Sequence, residues 1–182
     1  MILKNDDVIG ENILNIFTDA SIEKFNDSYI GSAGSIIVLN EEIIDQDIQI
    51  LYPATNNLSE IYSLKLGIIQ ALKYRNPNIK RINIFSDSKI SVFGLREWIF
   101  KWVCNNKNGT LYSSSGTPVS NQTYFLEIIN LIIMNQLYIN IYHQRGHKNP
   151  NKYQDIVEFK KSFRDSNGID IQENLIYNHY TL

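Results

Sequence analysis

The chain has 182 residues, 43% of them hydrophobic and 20% charged, and carries a formal net charge of −2. That balance suits one globular domain with a substantial core, and it excludes a strongly basic nucleic-acid binder, so any nucleic-acid site needs local positive charge or a bound metal. No apolar run is long enough to span a membrane, the first residues do not read as a signal peptide, and Cys104 is the only cysteine, which leaves no internal disulfide and no cysteine-based zinc site. A reducing, cytoplasmic setting is expected. The frequent Ile and Asn residues suggest a nucleotide bias in the coding sequence.

Residues 1–11 read as a flexible N-terminus and 12–182 as a single domain. A first strand is expected over Glu11–Asp19, followed by a loop or hairpin connection over Ile22–Gly34. Strands are expected over Ser35–Asn40 and Asp47–Tyr52, giving an antiparallel meander that Pro53 to Asn57 breaks. From Leu58 the apolar positions Ile61, Leu64, Ile68 and Leu72 follow a helical period, and Glu60 falls in the expected first turn. Arg81–Ser86 reads as a fourth strand, parallel to the first through a right-handed crossover. Ser88–Val103 is helical with a break at Gly94. Asn105–Asn121 is a polar loop. Gln122–Asn135 is a helix with Phe125, Ile128, Ile129, Ile132 and Ile133 on one face. A fifth strand is expected over Leu137–Tyr142, then a loop, a helix over Lys152–Phe163 and an extra C-terminal helix over Gln172–Tyr180, within 166–182. The fold class is α/β (α+β): a five-stranded mixed sheet, three strands antiparallel and two parallel, flanked by helices.

Two strand ends match. Phe17-Thr18-Asp19-Ala20-Ser21 and Phe85-Ser86-Asp87-Ser88 each pass from an apolar residue through a hydroxyl to an Asp and a small residue. An Asp followed by Ser at a strand end also reads as a turn or a helix N-cap. If the two strands are neighbours, however, the carboxylates converge and repel each other unless a cation lies between them. Glu60, at the start of the intervening helix, falls at the same end of the sheet. Three carboxylates so placed form a hard-oxygen site suited to Mg²⁺ or Mn²⁺.

In these and neighbouring motifs the chain resembles a type 1 ribonuclease H. Thr18-Asp19-Ala20-Ser21 is similar to that family's first-strand Asp-Gly-Ser, and Phe85-Ser86-Asp87-Ser88 to its Thr-Asp-Ser. Thr55-Asn56-Asn57-Leu58-Ser59-Glu60 is similar to its Thr-Asn-Asn-x-x-Glu at the first helix. Gly146-His147 resembles its Gly-His loop, and Asn151 to Val157 resembles its last Asp motif. Arg96 to Trp102, the polar loop and Pro118 to Asn121 resemble the substrate-gripping protrusion. The likeness covers most of residues 13–163.

The resemblance implies a nuclease that cleaves the RNA strand of RNA–DNA hybrids by a two-metal mechanism, leaving 5′-phosphate and 3′-hydroxyl ends. It implies two Mg²⁺ ions on Asp19, Glu60, Asp87 and Asp155; Asp165, Asp170 or a residue beyond Leu182 are alternatives to the last. His147 would assist proton transfer or product release. Asn57 and Asn56 would reach the minor groove, Thr55 and Asn121 a DNA phosphate, and Trp102 a deoxyribose, with Ser88 also binding substrate and Trp98 in the core. The expected partner is an RNA–DNA hybrid, bound by a monomer without a small-molecule cofactor. The polar loop carries only Lys107, where the family's protrusion is rich in Lys and Arg, so weaker hybrid binding and a shallower salt dependence are expected. A catalytically silent hybrid-binding domain, or another nuclease or resolvase on the same fold, are the competing readings.

Overall fold

In the computed structural model, which describes residues 13–75, 79, 81–146 and 153–171, β1 (Ile13–Phe25), β2 (Ser28–Leu39) and β3 (Glu42–Leu51) form an antiparallel meander. The loop or hairpin connection expected over Ile22–Gly34 is a hairpin, whose arms extend β1 and β2. Ile22, Phe25, Tyr29 and Ile30 favour extended backbone, and the reversal needs only Asn26 and Asp27, with Asn26 at φ 52°. β2 and β3 are joined by Asn40 and Glu41, whose φ values of 50° and 67° are those of a two-residue hairpin turn that matches the natural strand twist. Both strands are therefore longer than their apolar runs indicated.

Helix α1 (Asn56–Leu72) begins two residues before the first apolar position. Thr55 is its N-cap, and its hydroxyl accepts from the Leu58 N–H at 3.2 Å. β4 (Arg81–Ser86) pairs parallel with β1, and β5 (Ile139–His143) parallel with β4, so the sheet order is β3-β2-β1-β4-β5. Helices α2 (Lys89–Phe93) and α3 (Ile99–Cys104) are joined by a π turn, Gly94–Trp98. Helix α4 (Gln122–Met134) precedes β5, and α5 (Tyr153–Asn167) follows it. The helix expected over Gln172–Tyr180 and the flexible N-terminus lie outside the described residues.

Strand alternation sorts the core into two layers. On one face Leu14, Ile16, Ile37 and Ile84 meet Ile61, Leu64 and Ile68 of α1 and Phe125 and Ile128 of α4. On the other, Phe17, Ile36, Val38, Phe85 and Tyr142 meet Phe159 and Phe163 of α5, with Ile169 and Ile171 beyond it. Phe17 and Phe85, neighbours across β1 and β4, stack with centroids 4.9 Å apart. Within the sheet the Asn83 amide donates to Asn15 Oδ1 at 3.1 Å, and the Asn140 amide donates to Asn83 Oδ1 at 3.1 Å, joining one row of β1, β4 and β5.

The π turn overturns the expected roles of the two tryptophans. Its Ile99 N–H bonds to the Gly94 carbonyl, five residues back, so the residues after it are rotated relative to a regular helix. Trp102 becomes the core ring, 8% exposed, and Trp98 the surface ring, 37% exposed. Gly94 permits this. A Cβ there would lie 2.5 Å from Phe125 Cε1 and 3.1 Å from the Trp102 ring, and in its absence those two rings meet edge to face at 5.1 Å. The polar loop is also anchored: Leu111 is buried, and its N–H donates to Gln122 Oε1 at 2.7 Å.

Candidate active site

The β1–β4 register pairs Thr18 with Ser86, which sets the next residues, Asp19 and Asp87, at one level of the sheet. Behind them the Thr18 hydroxyl donates to the Phe85 carbonyl at 3.2 Å and ties the two strand ends together. Helix α1 brings Glu60 to the same point. Because α1 starts at Asn56, Glu60 lies beyond its first turn, and its side chain is buried rather than solvated at the helix terminus. One oxygen from each of Asp19, Glu60 and Asp87 lies within 4.8 Å of the other two.

Glu60 decides the electrostatics. It is 7% exposed, and its Oε2 has no hydrogen-bond partner among the described residues. Burial, then the charges of Asp87 and Asp19, push its carboxyl up to about 8. At neutral pH and without a cation Glu60 therefore holds a proton. A divalent ion would replace that proton, give the unpartnered oxygen a ligand and offset the repulsion. Hard oxygens alone make up the donor set, which fits Mg²⁺ or Mn²⁺.

The cluster sits where two clefts adjoin. Asp19 borders one, over the β1–β3 meander, together with Ser21, Ser32 and Gln46. Glu60 and Asp87 border the other, with Asn56, Asn57, Ser88, Lys89, His143 and Arg145. Lys89 and Arg145 are exposed and supply positive charge at the site itself, which partly answers the shortage in the polar loop. Gly146 lies against Asp87: a Cβ there would be 2.7 Å from Asp87 Oδ2 and would press the carboxylate aside. His143, 3% exposed, faces the Asp87 carbonyl, and burial holds its imidazole below the ordinary range, hence neutral at pH 7.

The structure thus brings together Asp19, Glu60 and Asp87 and lines the adjoining cleft with Asn56, Asn57 and Ser88. Ser88 is also the N-cap of α2, accepting from the Ser91 N–H at 3.3 Å. Thr55 is engaged in capping α1. Asn121 precedes α4 with left-handed backbone at φ 56° and does not border the cleft. Trp102 is buried and cannot reach a sugar. His147 lies outside the described residues.

Asp155 is a further departure. It begins α5, but the end of α5 that meets β5 beside the cluster is the other one, where Asn167 bonds to His143. From Asn167 back to Asp155 is twelve residues, about 18 Å along a helix. Asp155 therefore does not join the three carboxylates, and of the alternatives Asp165 is exposed and Asp170 is held by Arg164. Sequence reasoning missed His143, Lys89 and Arg145. The available signal for His143 was its place next to Tyr142: β5 runs one residue further than expected, into the row of Ser86.

A protein-family model for RNase H matches residues 11–157. This chain belongs to the RNase H family. Membership places it among the ribonucleases H. The RNase H domain of prototype foamy virus, at 18% identity, superimposes with a TM-score of 0.59 over 86% of this chain and 96% of that one. LC9-RNase H1, a type 1 RNase H with the type 2 active-site motif, gives 0.59 at 16% identity over 87% of this chain and 75% of that one. The foamy viral protease–reverse transcriptase in complex with an RNA/DNA hybrid gives 0.60 at 14% identity, covering 94% of this chain and 20% of that one. The RNase H chain described here thus spans about a fifth of that viral enzyme. No curated protein sequence matches it. At these identities the likenesses establish the RNase H fold, and no described helix is long and apolar enough to cross a membrane.

Proposed function

We propose that this RNase H is a divalent-metal-dependent endonuclease that hydrolyses the RNA strand of RNA–DNA hybrids, leaving 5′-phosphate and 3′-hydroxyl ends, and that it acts as a cytoplasmic monomer. The observation that carries the proposal is the buried, unpartnered Glu60 oxygen beside Asp19 and Asp87. Such a cluster is unfavourable by itself and becomes favourable around Mg²⁺ or Mn²⁺. Asp19, Glu60 and Asp87 would hold the metal, which when bound lowers the pKa of a water and offsets charge on the departing oxygen.

The chain's own residues supply orientation. Asn56 and Asn57 present amides at the cleft from the start of α1 and can hydrogen-bond a 2′-hydroxyl, the one backbone group that distinguishes RNA from DNA. Lys89 and Arg145, which border the same cleft as Asp87, meet phosphates. Trp98, the exposed ring of the π turn, is available to pack on a sugar. His147, next after Gly146 in the sequence, is the proposed group for proton transfer or product release.

The test is a gel assay on a labelled RNA–DNA hybrid with Mg²⁺, Mn²⁺ or EDTA, alongside single-stranded RNA and duplex DNA. Metal-dependent cutting of the hybrid alone is expected. A second reading, a catalytically silent hybrid-binding domain, draws on the position of Asp155, which leaves the cluster of described residues at three carboxylates rather than the four expected. Hybrid binding without cleavage under both metals would select it.

A further inference from the structure

The backbone that carries Asp87 is held from behind by a chain of hydrogen bonds that reaches α5 and the π turn. His143 Nε2 lies 3.1 Å from the Asp87 carbonyl oxygen, and His143 Nδ1 lies 2.9 Å from Ser166 Oγ. A carbonyl can only accept, so Nε2 carries the proton and the Ser166 hydroxyl donates to Nδ1. The backbone of the same residue is clamped on both sides: the His143 N–H donates to Asn167 Oδ1 at 2.9 Å, and the Asn167 amide donates to the His143 carbonyl at 2.7 Å. Asn167 is fixed in turn, since its amide also donates to the Phe163 carbonyl at 2.9 Å and its Oδ1 accepts from Arg96 Nη1 at 2.9 Å. Asp87 itself follows Ser86, the last paired residue of β4. The hold on its carbonyl therefore comes from a neighbouring strand and helix, beyond the end of its own ladder.

We propose that His143 is a positioning residue for metal binding. With Ser166 and Asn167 behind it, His143 fixes the Asp87 carbonyl, and so the direction in which the Asp87 carboxylate faces Glu60 and Asp19. The proposal rests on the metal-site reading above; the identity of the substrate does not enter it. Groups that orient a ligand from outside the coordination sphere commonly carry about tenfold to a hundredfold of metal affinity or activity.

The experiment uses the full chain. Mn²⁺ is titrated by calorimetry without nucleic acid, and hybrid cleavage is followed at saturating Mn²⁺. His143→Phe keeps a ring beside Phe93, 6.2 Å from the imidazole, and removes the donor. It is expected to weaken Mn²⁺ binding about tenfold or more and to lower kcat without raising KM for the hybrid. His143→Gln, which keeps an N–H donor, recovers most of the affinity, and Ser166→Ala shifts affinity in the same direction as the Phe variant by less. If His143→Phe binds Mn²⁺ and turns over as the parent does, the proposal is overturned. If that variant no longer melts cooperatively, Ser166→Ala decides, and parent-like affinity there overturns it equally. A parent that binds Mn²⁺ but leaves hybrids intact removes the proposed reaction and leaves the affinity comparison standing; a parent that binds no Mn²⁺ removes both.

Discussion

Replacing Glu60 by Gln separates what this residue does for the site from what it does to the fold. The free carboxyl loses its proton near pH 4.5, whereas the folded chain keeps it to about 8. Between those values the folded state binds the extra proton, so stability falls as pH rises. By pH 7 the accumulated cost is about 3 kcal/mol, at about 1.4 kcal/mol per pH unit. Gln has the shape of the protonated acid and cannot ionise, so Glu60→Gln removes that cost. For a chain of this size the gain corresponds to roughly 6–12 °C in Tm. Thermal melts followed by circular dichroism in EDTA should therefore show parent and variant together near pH 4.5, the variant rising above the parent towards pH 8, and no further divergence beyond. Saturating Mn²⁺ should reverse the order, because the parent gains a ligand-bound state that the variant lacks. A gap that stays flat from pH 5 to 8, or a variant that melts below the parent at pH 8 in EDTA, would refute the account of Glu60 as a buried, destabilised carboxyl waiting for a cation.

Other outcomes follow from close contacts. Gly146→Ala places a methyl group 2.7 Å from Asp87 Oδ2, so Mn²⁺ affinity measured by calorimetry should fall about tenfold while the melting temperature in EDTA changes little. Asp155→Asn should leave Mn²⁺ affinity and hybrid cleavage at the parent's level; a loss beyond about tenfold would show that α5 brings this carboxylate to the metal after all. Trp102→Ala should cost about 3–5 kcal/mol in urea unfolding because the ring is buried on Phe125. Trp98→Ala should be nearly neutral in stability and instead raise KM for the hybrid, and equal destabilisation by the two would contradict the rotation at the π turn.

The parts of the molecule that could be read beforehand are those written in local pattern. Arg81–Ser86 carries the β-prone Ile82, Ile84 and Phe85 in a short segment before Asp87, and the structure gives it the same bounds. The matching ends of two strand-like segments and the helical period around Glu60 set Asp19, Glu60 and Asp87 at one sheet edge if the strands are neighbours, and the three side chains do meet. What escaped depends on contacts between distant residues. Ile22 to Gly34 alternates too weakly to declare itself as strand, and pairing across the sheet settles it. The exchange of Trp98 and Trp102 follows from one additional residue in a turn, made possible by Gly94 fitting under Phe125. Asp155 sits at the start of the expected helix, yet helix direction is a tertiary property, and α5 points its other end at the cluster. Nothing in the spacing of His143 announced its bond to Asp87, since the two residues are 56 positions apart.

The abundance of Asn, which composition alone left without meaning, has a use in the sheet. Asn15 stands four residues before Asp19, and Asn83 four before Asp87. Were β4 to slip one position along β1, the shift would be about 3.3 Å and every side chain would change face. Asn83 would then leave both Asn15 and Asn140, stranding amides in an apolar layer at about 1–3 kcal/mol for each unpaired group. The three amides act as a gauge that a single alignment satisfies, and that alignment is the one in which the two aspartates finish level. Tolerance at the carboxylate edge is thus set deep inside the protein, by uncharged groups four residues back along each strand.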